Sequence, residues 1–288
     1  MKLINIADVP VTVRDHVRTG RLEYQTIATG TPGTPENFTL VLCPLRADYS
    51  TPRHRHNFEQ IRFQIEGEFT YGRAGTMRPG MIGYFPEGTP YGPTHSNDAT
   101  LLLNLQFGGP SGSGYLSEEE QLPILTEMKK IGRFEGGVYT IEAPDGGKRN
   151  RDGYEAMWEK ARQQRLVYPK PRYQEPILIR PSSFDWIAIA GQSGAAYKRL
   201  GVFSERGTRI GCLRLERGAR ATLEDNSIYF TTTGAGISHH GAWLQYSAFY
   251  LKHGEAGEIE ATNASEFLHL GFPDLRDLHG QPMSKTPE

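Results

Sequence analysis

Two histidines lie two residues apart in a segment that also contains a possible amide ligand. His54 and His56 are followed by Gln60, and Gly67 lies seven residues beyond Gln60. Side chains at positions i and i+2 of a β-strand point to the same face, so the two imidazoles would converge on one point. Imidazole nitrogen and amide oxygen suit a divalent transition metal. The segment therefore predicts a metal site.

A second segment follows a Gly/Pro break and carries Gly80, Pro86, Gly88, Tyr91 and His95. Together the two segments resemble the cupin superfamily, whose second motif is G-x5-P-x-G-x2-H-x3-N. Gly80, Pro86 and Gly88 match that motif. Tyr91 stands where the last histidine ligand belongs, and His95 stands at the asparagine position.

The first cupin motif, G-x5-H-x-H-x3,4-E-x6-G, matches through His54, His56, Gln60 and Gly67, with Gln60 where glutamate is usual. Asp48 replaces the opening glycine. The resemblance implies a jelly-roll barrel that holds one divalent metal through His54, His56 and Gln60. Iron, manganese, nickel, cobalt and zinc all suit such ligands, and the absence of thiolate ligands argues against a closed structural zinc site.

The fourth ligand is open between three alternatives. His95 is favoured over Tyr91, and three protein ligands with a water molecule are the third alternative. Each of them leaves a coordination position open, as a catalytic metal requires.

Five polar residues are expected to bind the substrate. Arg62 and Gln64 share the strand parity of Gln60 and should face the cavity, while Asn104 and Gln106 are expected on the opposite wall and Tyr91 in the pocket. A register shift would instead expose Arg62. An inward guanidinium stays protonated and needs an anionic partner. That partner is either a carboxylate of the substrate or a glutamate on a neighbouring turn: Glu66, Glu68 or Glu87.

Short strands separated by turns predict an all-β fold of the antiparallel sandwich or barrel type. The resemblance implies two cupin jelly-roll barrels, joined by a short helical segment. Residues 1–115 are predicted to form the N-terminal barrel with the metal site. Residues 116–175 are predicted to be a helical linker, with one helix beginning near Leu122 and another after Asp152. Residues 176–288 are predicted to form a degenerate C-terminal barrel and a polar tail. The strands predicted with most regular patterns are 38–45, 60–65, 81–85, 100–107, 177–179, 186–190, 210–215, 228–232, 248–251 and 267–270.

A weak internal repeat supports the second barrel. Setting Gly234 against Gly67 gives an offset of 167 residues and places His54, His56 and Gln60 on Ala221, Leu223 and Ser227. None of these three is a good metal ligand, so the second barrel is predicted to be structural and to contribute packing or a dimer face.

Composition limits the partners. The net charge of −1 and the pI near 6.8 argue against nucleic acid or an anionic membrane as partner. The sequence has no run of apolar residues of membrane-spanning length, and two cysteines inside apolar runs are predicted to be reduced. We therefore expect a cytoplasmic protein that forms a homodimer and has a small-molecule substrate.

These features predict a metal-dependent enzyme that acts on a small oxygenated molecule, with a carboxylate-bearing substrate favoured. The resemblance implies a dioxygenase, isomerase, lyase or decarboxylase, and a dioxygenase is favoured. The alternatives are a cupin isomerase or lyase of a sugar or keto acid, and a non-enzymatic binding protein with the same pocket.

Overall fold

The structure is a computed structural model that describes residues 1–16, 20–142 and 146–278. It divides into two compact units. The N-terminal unit comprises Val11–Leu178 with Leu278, and the C-terminal unit comprises Ile179–Asp277 with Met1–Pro10. The predicted polar tail beyond Leu278 lies outside the described residues.

The strands are numbered in chain order. The first of them, β1, spans Lys2–Ile4. The strands of the N-terminal unit and its boundary are β2 (Val11–His16), β3 (Gly20–Thr29), β4 (Phe38–Leu45), β5 (Ser50–Thr51), β6 (Glu59–Glu66), β7 (Phe69–Tyr71), β8 (Thr76–Met77), β9 (Ile82–Phe85), β10 (Thr94–His95), β11 (Thr100–Phe107), β12 (Gly132–Glu135), β13 (Val138–Glu142), β14 (Lys148–Asp152) and β15 (Ile177–Ile179).

Two sheets form the barrel of the N-terminal unit. The larger has the order β15-β9-β6-β11-β4-β3-β2, and the smaller has the order β5-β10-β7-β8. Phe69 and Tyr71 of the smaller sheet join Phe85 of the larger one in a buried aromatic core, with the Tyr71 and Phe85 ring centroids 4.8 Å apart. Burying an aromatic side chain of this kind contributes about 1.5–3 kcal/mol of stability. Packing between the two sheets therefore closes this part of the barrel.

The linker contains both helices and strands. Helix α1 spans Glu118–Met128, helix α2 spans Gly153–Arg162, and β12, β13 and β14 form a separate three-stranded sheet. The segment 116–175 thus contains the expected helices and, in addition, a three-stranded sheet that was not predicted. The strand β14 consists of polar and charged residues that are largely exposed, so it lacks the apolar alternation by which a strand is recognised.

The start of α1 also differs from the prediction. The helix begins at Glu118 and contains Pro123, although a start near Leu122 was expected. A capping box holds the first turn, since the Ser117 amide and hydroxyl both donate to Glu120 Oε2 at 2.9 Å. The second helix begins as predicted, because Asp152 Oδ1 accepts hydrogen bonds from the amides of Tyr154 and Glu155.

The C-terminal unit repeats the same topology. Its remaining strands are β16 (Ile187–Ala188), β17 (Ala195–Val202), β18 (Arg209–Leu215), β19 (Arg220–Leu223), β20 (Ser227–Thr233), β21 (Gly236–Ser238), β22 (Gly241–Trp243), β23 (Ala248–Leu251), β24 (Gly257–Ala261) and β25 (Ser265–Gly271). The larger sheet has the order β1-β23-β20-β25-β18-β17-β16, and the smaller has the order β19-β24-β21-β22. Position by position, these orders parallel those of the first barrel, as the offset of 167 residues predicts.

Strand β1 lies in the second barrel, although residues 1–115 were assigned to the first. Leu3 pairs with Phe249 of β23, so the first ten residues cluster with the C-terminal unit. In the sheet orders, β1 takes the edge position that β15 takes beside β9. The all-β fold of two barrels is confirmed, and the first segment of the chain contributes to the second barrel.

Among the described residues, three short 3-10 helices connect strands, at Ile6–Asp8, Gly72–Ala74 and Pro181–Ser183, and a fourth follows β25 at Arg276–Leu278. In the part of the chain that the structure describes, no helix has the length and apolar character needed to cross a membrane.

Candidate functional site

A cavity of about 130 Å³ lies in the N-terminal barrel. Its volume resembles that of a protein cavity that accommodates benzene, so a small molecule would fill it. The larger sheet forms one wall with Gln60 and Arg62 of β6 and with Asn104 and Gln106 of β11. In the antiparallel register Arg62 lies opposite Asn104, and Gln60 lies opposite Gln106. Strand period two thus brings these four residues to one wall. The expectation that Asn104 and Gln106 lie on the opposite wall is corrected, because β11 pairs directly with β6.

Gln64 is placed differently from the prediction. It shares the parity of Gln60 and Arg62 but is not among the residues that line the cavity. Its side chain is fully buried, and its Nε2 donates to the Glu66 carbonyl at 2.7 Å. A bulge at Leu101 and Leu102 interrupts the pairing of β11 with β6 at this point. The expectation that Gln64 binds substrate is corrected accordingly.

The backbone holds the two histidines beside Tyr91. The His54 amide donates to the Tyr91 carbonyl at 3.1 Å, and the Tyr91 amide donates to the His54 carbonyl at 2.9 Å. The Gly88 amide donates to the His56 carbonyl at 2.7 Å. Gly88 has a φ of 76°, a conformation that suits glycine. These three bonds place the turn of the second motif against the histidines of the first.

Four side chains converge at this end of the cavity. The Tyr91 hydroxyl lies 3.1 Å from His54 Nε2, 3.4 Å from His56 Nδ1 and 3.2 Å from Gln60 Oε1. Gln60 Nε2 lies 3.2 Å from His56 Nδ1. The His54 Nδ1 is 2.7 Å from the Pro52 carbonyl, which can only accept, so Nδ1 carries the proton. His54 Nε2 therefore presents its lone pair to the cluster.

His95 lies outside this cluster. It is exposed and sits in β10, where the neighbouring Thr94 is buried and lines the cavity. Successive strand residues point to opposite faces, so the inward position belongs to Thr94. The structure places Tyr91 beside His54 and His56, and the preference for His95 as fourth ligand is corrected.

Arg62 reaches into the same cluster from the wall. Its Nη2 donates to Gln60 Oε1 at 2.8 Å and to the Tyr91 hydroxyl at 3.1 Å. Its guanidinium carbon lies 4.8 Å from the ring centroid of Phe85 and 5.3 Å from that of Tyr71. Burial opposes the charged form, but the Tyr91 and Tyr71 oxygens favour it, and the net effect raises the pKa of Arg62.

The glutamates on neighbouring turns do not neutralise Arg62. Glu68 pairs with Arg78 at 2.9 Å, and Glu87 pairs with Arg172 at 2.7 Å. Glu66 is exposed. Among the described residues, Arg62 has no carboxylate partner.

Sequence reasoning missed a second polar group on the cavity wall. Glu118, in the first turn of α1, accepts a hydrogen bond from the Tyr24 hydroxyl and lies 3.3 Å from Arg14 Nε. Burial and the neighbouring Glu118 raise the pKa of Tyr24. These residues come from β2, β3 and α1, and no spacing in the sequence links them. The cavity therefore holds two guanidinium groups and one carboxylate.

The cavity thiol is unsuited to nucleophilic chemistry. Both cysteines are free, as predicted, and Cys43 lines the cavity. Burial raises the pKa of Cys43 to about 12, so the thiol stays protonated near neutral pH.

Comparison with known proteins supports the fold. No family profile and no curated protein sequence matches the chain. Among solved structures, a "putative dioxygenase" from Nostoc punctiforme has a TM-score of 0.60 and 11% identity, with 100% of this chain and 87% of that one covered. Oxalate decarboxylase from Bacillus subtilis has a TM-score of 0.53 and 14% identity, with 95% and 76% covered. A tryptophan-to-tyrosine variant of that decarboxylase has a TM-score of 0.53 and 13% identity, with 98% and 81% covered.

The chain has the bicupin fold. These alignments cover 95% to 100% of the chain and therefore span both barrels. Because the sequence identity is only 11% to 14%, these alignments show the fold alone. The chemistry has to be inferred from the residues of the site.

The cluster of His54, His56, Gln60 and Tyr91 provides atoms at distances that suit a metal ion. Around an ion with bonds of about 2.1 Å, neighbouring ligand atoms lie roughly 3.0–3.4 Å apart. The distances from the Tyr91 hydroxyl, 3.1 to 3.4 Å, fall in this range. The proton on His54 Nδ1 is held by a carbonyl, an arrangement common for metal-binding histidines. Within the described residues, however, no three His, Cys, Asp or Glu side chains gather to hold a metal, so the amide and phenol oxygens would be needed.

The described residues of the second barrel form no such cluster at the repeat positions. Ala221 and Leu223 belong to its buried apolar core, together with Trp243. Ser227 is also buried, and its hydroxyl donates to the Glu224 carbonyl at 2.6 Å. The residues at the repeat positions are therefore apolar or hydrogen-bonded to the backbone, and none of the three provides a good metal ligand.

Proposed function

We propose that this protein is a metal-dependent enzyme that acts on a small, oxygenated, carboxylate-bearing molecule in the N-terminal barrel. One observation carries the proposal. The His54, His56, Gln60 and Tyr91 side chains converge at one end of a cavity of about 130 Å³, and Arg62 enters that cavity without a carboxylate partner among the described residues.

Four side chains would hold the ion: His54 through Nε2, His56, Gln60 through Oε1 and Tyr91 through its hydroxyl oxygen. A bound divalent ion would supply Lewis-acid chemistry at a substrate oxygen. Manganese, iron, cobalt, nickel and zinc are all compatible with nitrogen and oxygen ligands. The Mn(II) centres of Bacillus subtilis oxalate decarboxylase make manganese the first ion to test.

The charges of the cavity favour an anionic substrate. Arg14 is paired with Glu118, which leaves the charge of Arg62 for the ligand. A guanidinium binds a carboxylate through two parallel hydrogen bonds, and this geometry would fix the orientation of the substrate. Asn104 Oδ1 lies buried opposite Arg62 without a hydrogen-bond partner among the described residues, so it can accept a hydrogen bond from a substrate hydroxyl.

Dioxygenase is the favoured reaction within this proposal. A "putative dioxygenase" with the same fold supports it. Isomerase, lyase and decarboxylase reactions of a small acid are the alternatives, and the similarity to oxalate decarboxylase supports the last of these. The predicted homodimer stays a prediction.

A metal-free binding protein is the second candidate. Arg62 already donates hydrogen bonds to Gln60 Oε1 and to Tyr91, two of the four proposed metal ligands. In such a protein the cluster would hold Arg62 in position for an anion, and the imidazoles would serve as hydrogen-bonding groups.

Metal analysis and oxygen consumption distinguish the candidates. Protein purified without chelator is expected to carry close to one first-row divalent ion per chain, and small 2-oxo, 2-hydroxy and enolic acids should include one that stimulates oxygen uptake. Turnover of an acid without oxygen uptake would favour isomerase, lyase or decarboxylase chemistry. A metal-free protein that such acids stabilise against heat, without turnover, would favour the binding protein.

A further inference from the structure

A bound metal ion would compete with Arg62 for two oxygen atoms of the cluster. Its Nη2 lies 2.8 Å from Gln60 Oε1 and 3.1 Å from the Tyr91 hydroxyl. Gln60 Oε1 accepts a second hydrogen bond from the Tyr91 hydroxyl, so both of its lone pairs are occupied, and an ion bound there would have to displace one of these donors. A divalent cation and a guanidinium sharing two oxygens would also repel each other strongly in a buried site.

No carboxylate among the described residues of the wall neutralises this guanidinium. The nearby glutamates Glu68 and Glu87 are paired with Arg78 and Arg172. Aromatic rings surround the Arg62 guanidinium, with Phe85 at 4.8 Å, Tyr71 at 5.3 Å and Tyr91 at 5.5 Å. The faces of these rings attract a cation but do not neutralise its charge. An anion that enters the cavity therefore finds an arginine whose charge is still available.

We propose that Arg62 is a built-in competitor of the metal, and that a small carboxylate in the cavity draws Arg62 away from Gln60 and Tyr91. The inference rests on the proposed function, because it concerns the same four metal ligands. The anion and the metal then bind cooperatively. A bound anion draws the Arg62 guanidinium away from the metal ligands, and a bound metal frees Arg62 from Gln60 and Tyr91 so that it can bind the anion. Coupling of this kind is reciprocal, so the metal also strengthens anion binding by the same factor.

Two consequences follow for metal affinity. Replacing Arg62 by methionine keeps an unbranched side chain of comparable length but removes the charge and the donors. Hydrogen bonds to charged groups contribute enough that their removal should tighten metal binding roughly ten- to a hundredfold. Acetate should also tighten metal binding to the unmodified protein, and it should have little effect once Arg62 is replaced.

Isothermal titration of Mn²⁺ into the metal-free full-length protein tests the inference. The unmodified protein, Arg62→Met and the matched control Arg78→Met are compared in chloride and in acetate at equal ionic strength. Arg78 is a suitable control because it is exposed and pairs with Glu68. We expect tighter binding for Arg62→Met in chloride, an acetate effect in the unmodified protein and Arg78→Met, and none in Arg62→Met.

Other outcomes separate the inference from the proposed function. Equal Mn²⁺ affinity of the unmodified protein and Arg62→Met would overturn the competition while leaving the metal site in place. If neither protein binds Mn²⁺, the titration is repeated with Fe²⁺, Co²⁺, Ni²⁺ and Zn²⁺, and failure with all of them refutes both the competition and the metal-dependent function. Should Arg62→Met fail to fold by circular dichroism, the comparison of acetate with chloride in the unmodified protein decides, and equal affinity in the two salts overturns the inference.

Discussion

The buried carboxylate of Glu87 is predicted to depend on Arg172 for its stability, and this contact helps to fix the turn of the second motif. Glu87 lies between Pro86 and Gly88, and its side chain is inaccessible to solvent. It accepts hydrogen bonds from the Ser111 amide at 3.0 Å, from the Ser111 hydroxyl at 2.6 Å and from Arg172 Nη1 at 2.7 Å. The adjacent Gly88 amide donates a hydrogen bond to the His56 carbonyl, so this network also supports one side of the proposed metal site.

We expect Arg172→Met to destabilise the protein by about 3 kcal/mol. Removing one partner of a buried ion pair typically costs about 3–5 kcal/mol, because the other charge is left buried and uncompensated. The lower end of that range applies here, since Ser111 keeps both hydrogen bonds to Glu87 and the Arg172 side chain is 22% exposed. Arg78→Met is the matched control. It breaks an exposed ion pair, which should cost about 0–1 kcal/mol.

The loss should depend on pH in a defined direction. Burial raises the pKa of Glu87, while Ser111 and Arg172 lower it by less. Between the unfolded and folded pKa values the folded state binds more protons, so stability falls as pH rises through that window. Without Arg172 the folded pKa rises further and the window widens. The Arg172→Met variant should therefore lose less stability at pH 5 than at pH 8.

Urea unfolding followed by circular dichroism at both pH values measures these differences. Arg172→Met combined with Glu87→Gln should recover part of the loss, because the double variant buries no unpaired charge. A loss below 1 kcal/mol, or one that is equal at pH 5 and pH 8, would refute the view that Glu87 depends on Arg172.

Three further predictions concern the ligands of the site and a buried histidine. His56→Ala should abolish metal binding, and metal retained at the original content by elemental analysis would contradict the assignment. For an acid substrate, Arg62→Met should raise KM by roughly ten- to a hundredfold, as expected for a lost charged hydrogen bond; an unchanged KM would exclude Arg62 as the anchor. Burial and Arg209 lower the pKa of His269 to about 3, so the folded state resists protonation and stability should fall as pH decreases from about 6.5 toward 3. Histidine NMR titration checks this, and a His269 pKa near 6.5 would contradict it.

The sequence predicts the sheets better than the site. Strands 38–45, 100–107, 177–179 and 248–251 have the predicted bounds, because regular patterns of β-forming residues mark them. The offset of 167 residues also predicted the repeated topology. These features depend on local patterns and on glycines such as Gly67, whose φ of 70° is a turn conformation that other residues rarely adopt.

The site depends on contacts that local patterns do not contain. Strand parity could not distinguish Tyr91 from His95. Gly92 and Pro93 separate Tyr91 from β10, so the two residues do not belong to one regular strand. Glu118 contacts Tyr24 and Arg14, which lie far from it in the sequence. No spacing of residue types in the sequence indicates either contact. Sequence periodicity assigns a side chain to a face, whereas these contacts require the packed tertiary structure.

The position of β1 has a consequence for the order of folding. Its partner strand β23 lies about 250 residues further along the chain. At a synthesis rate of 5–20 residues per second, roughly 12 to 50 s separate the appearance of the two strands. Strands β2 to β11, in contrast, are all synthesised before the linker. We therefore expect the first barrel to fold while β1 is still without its partner.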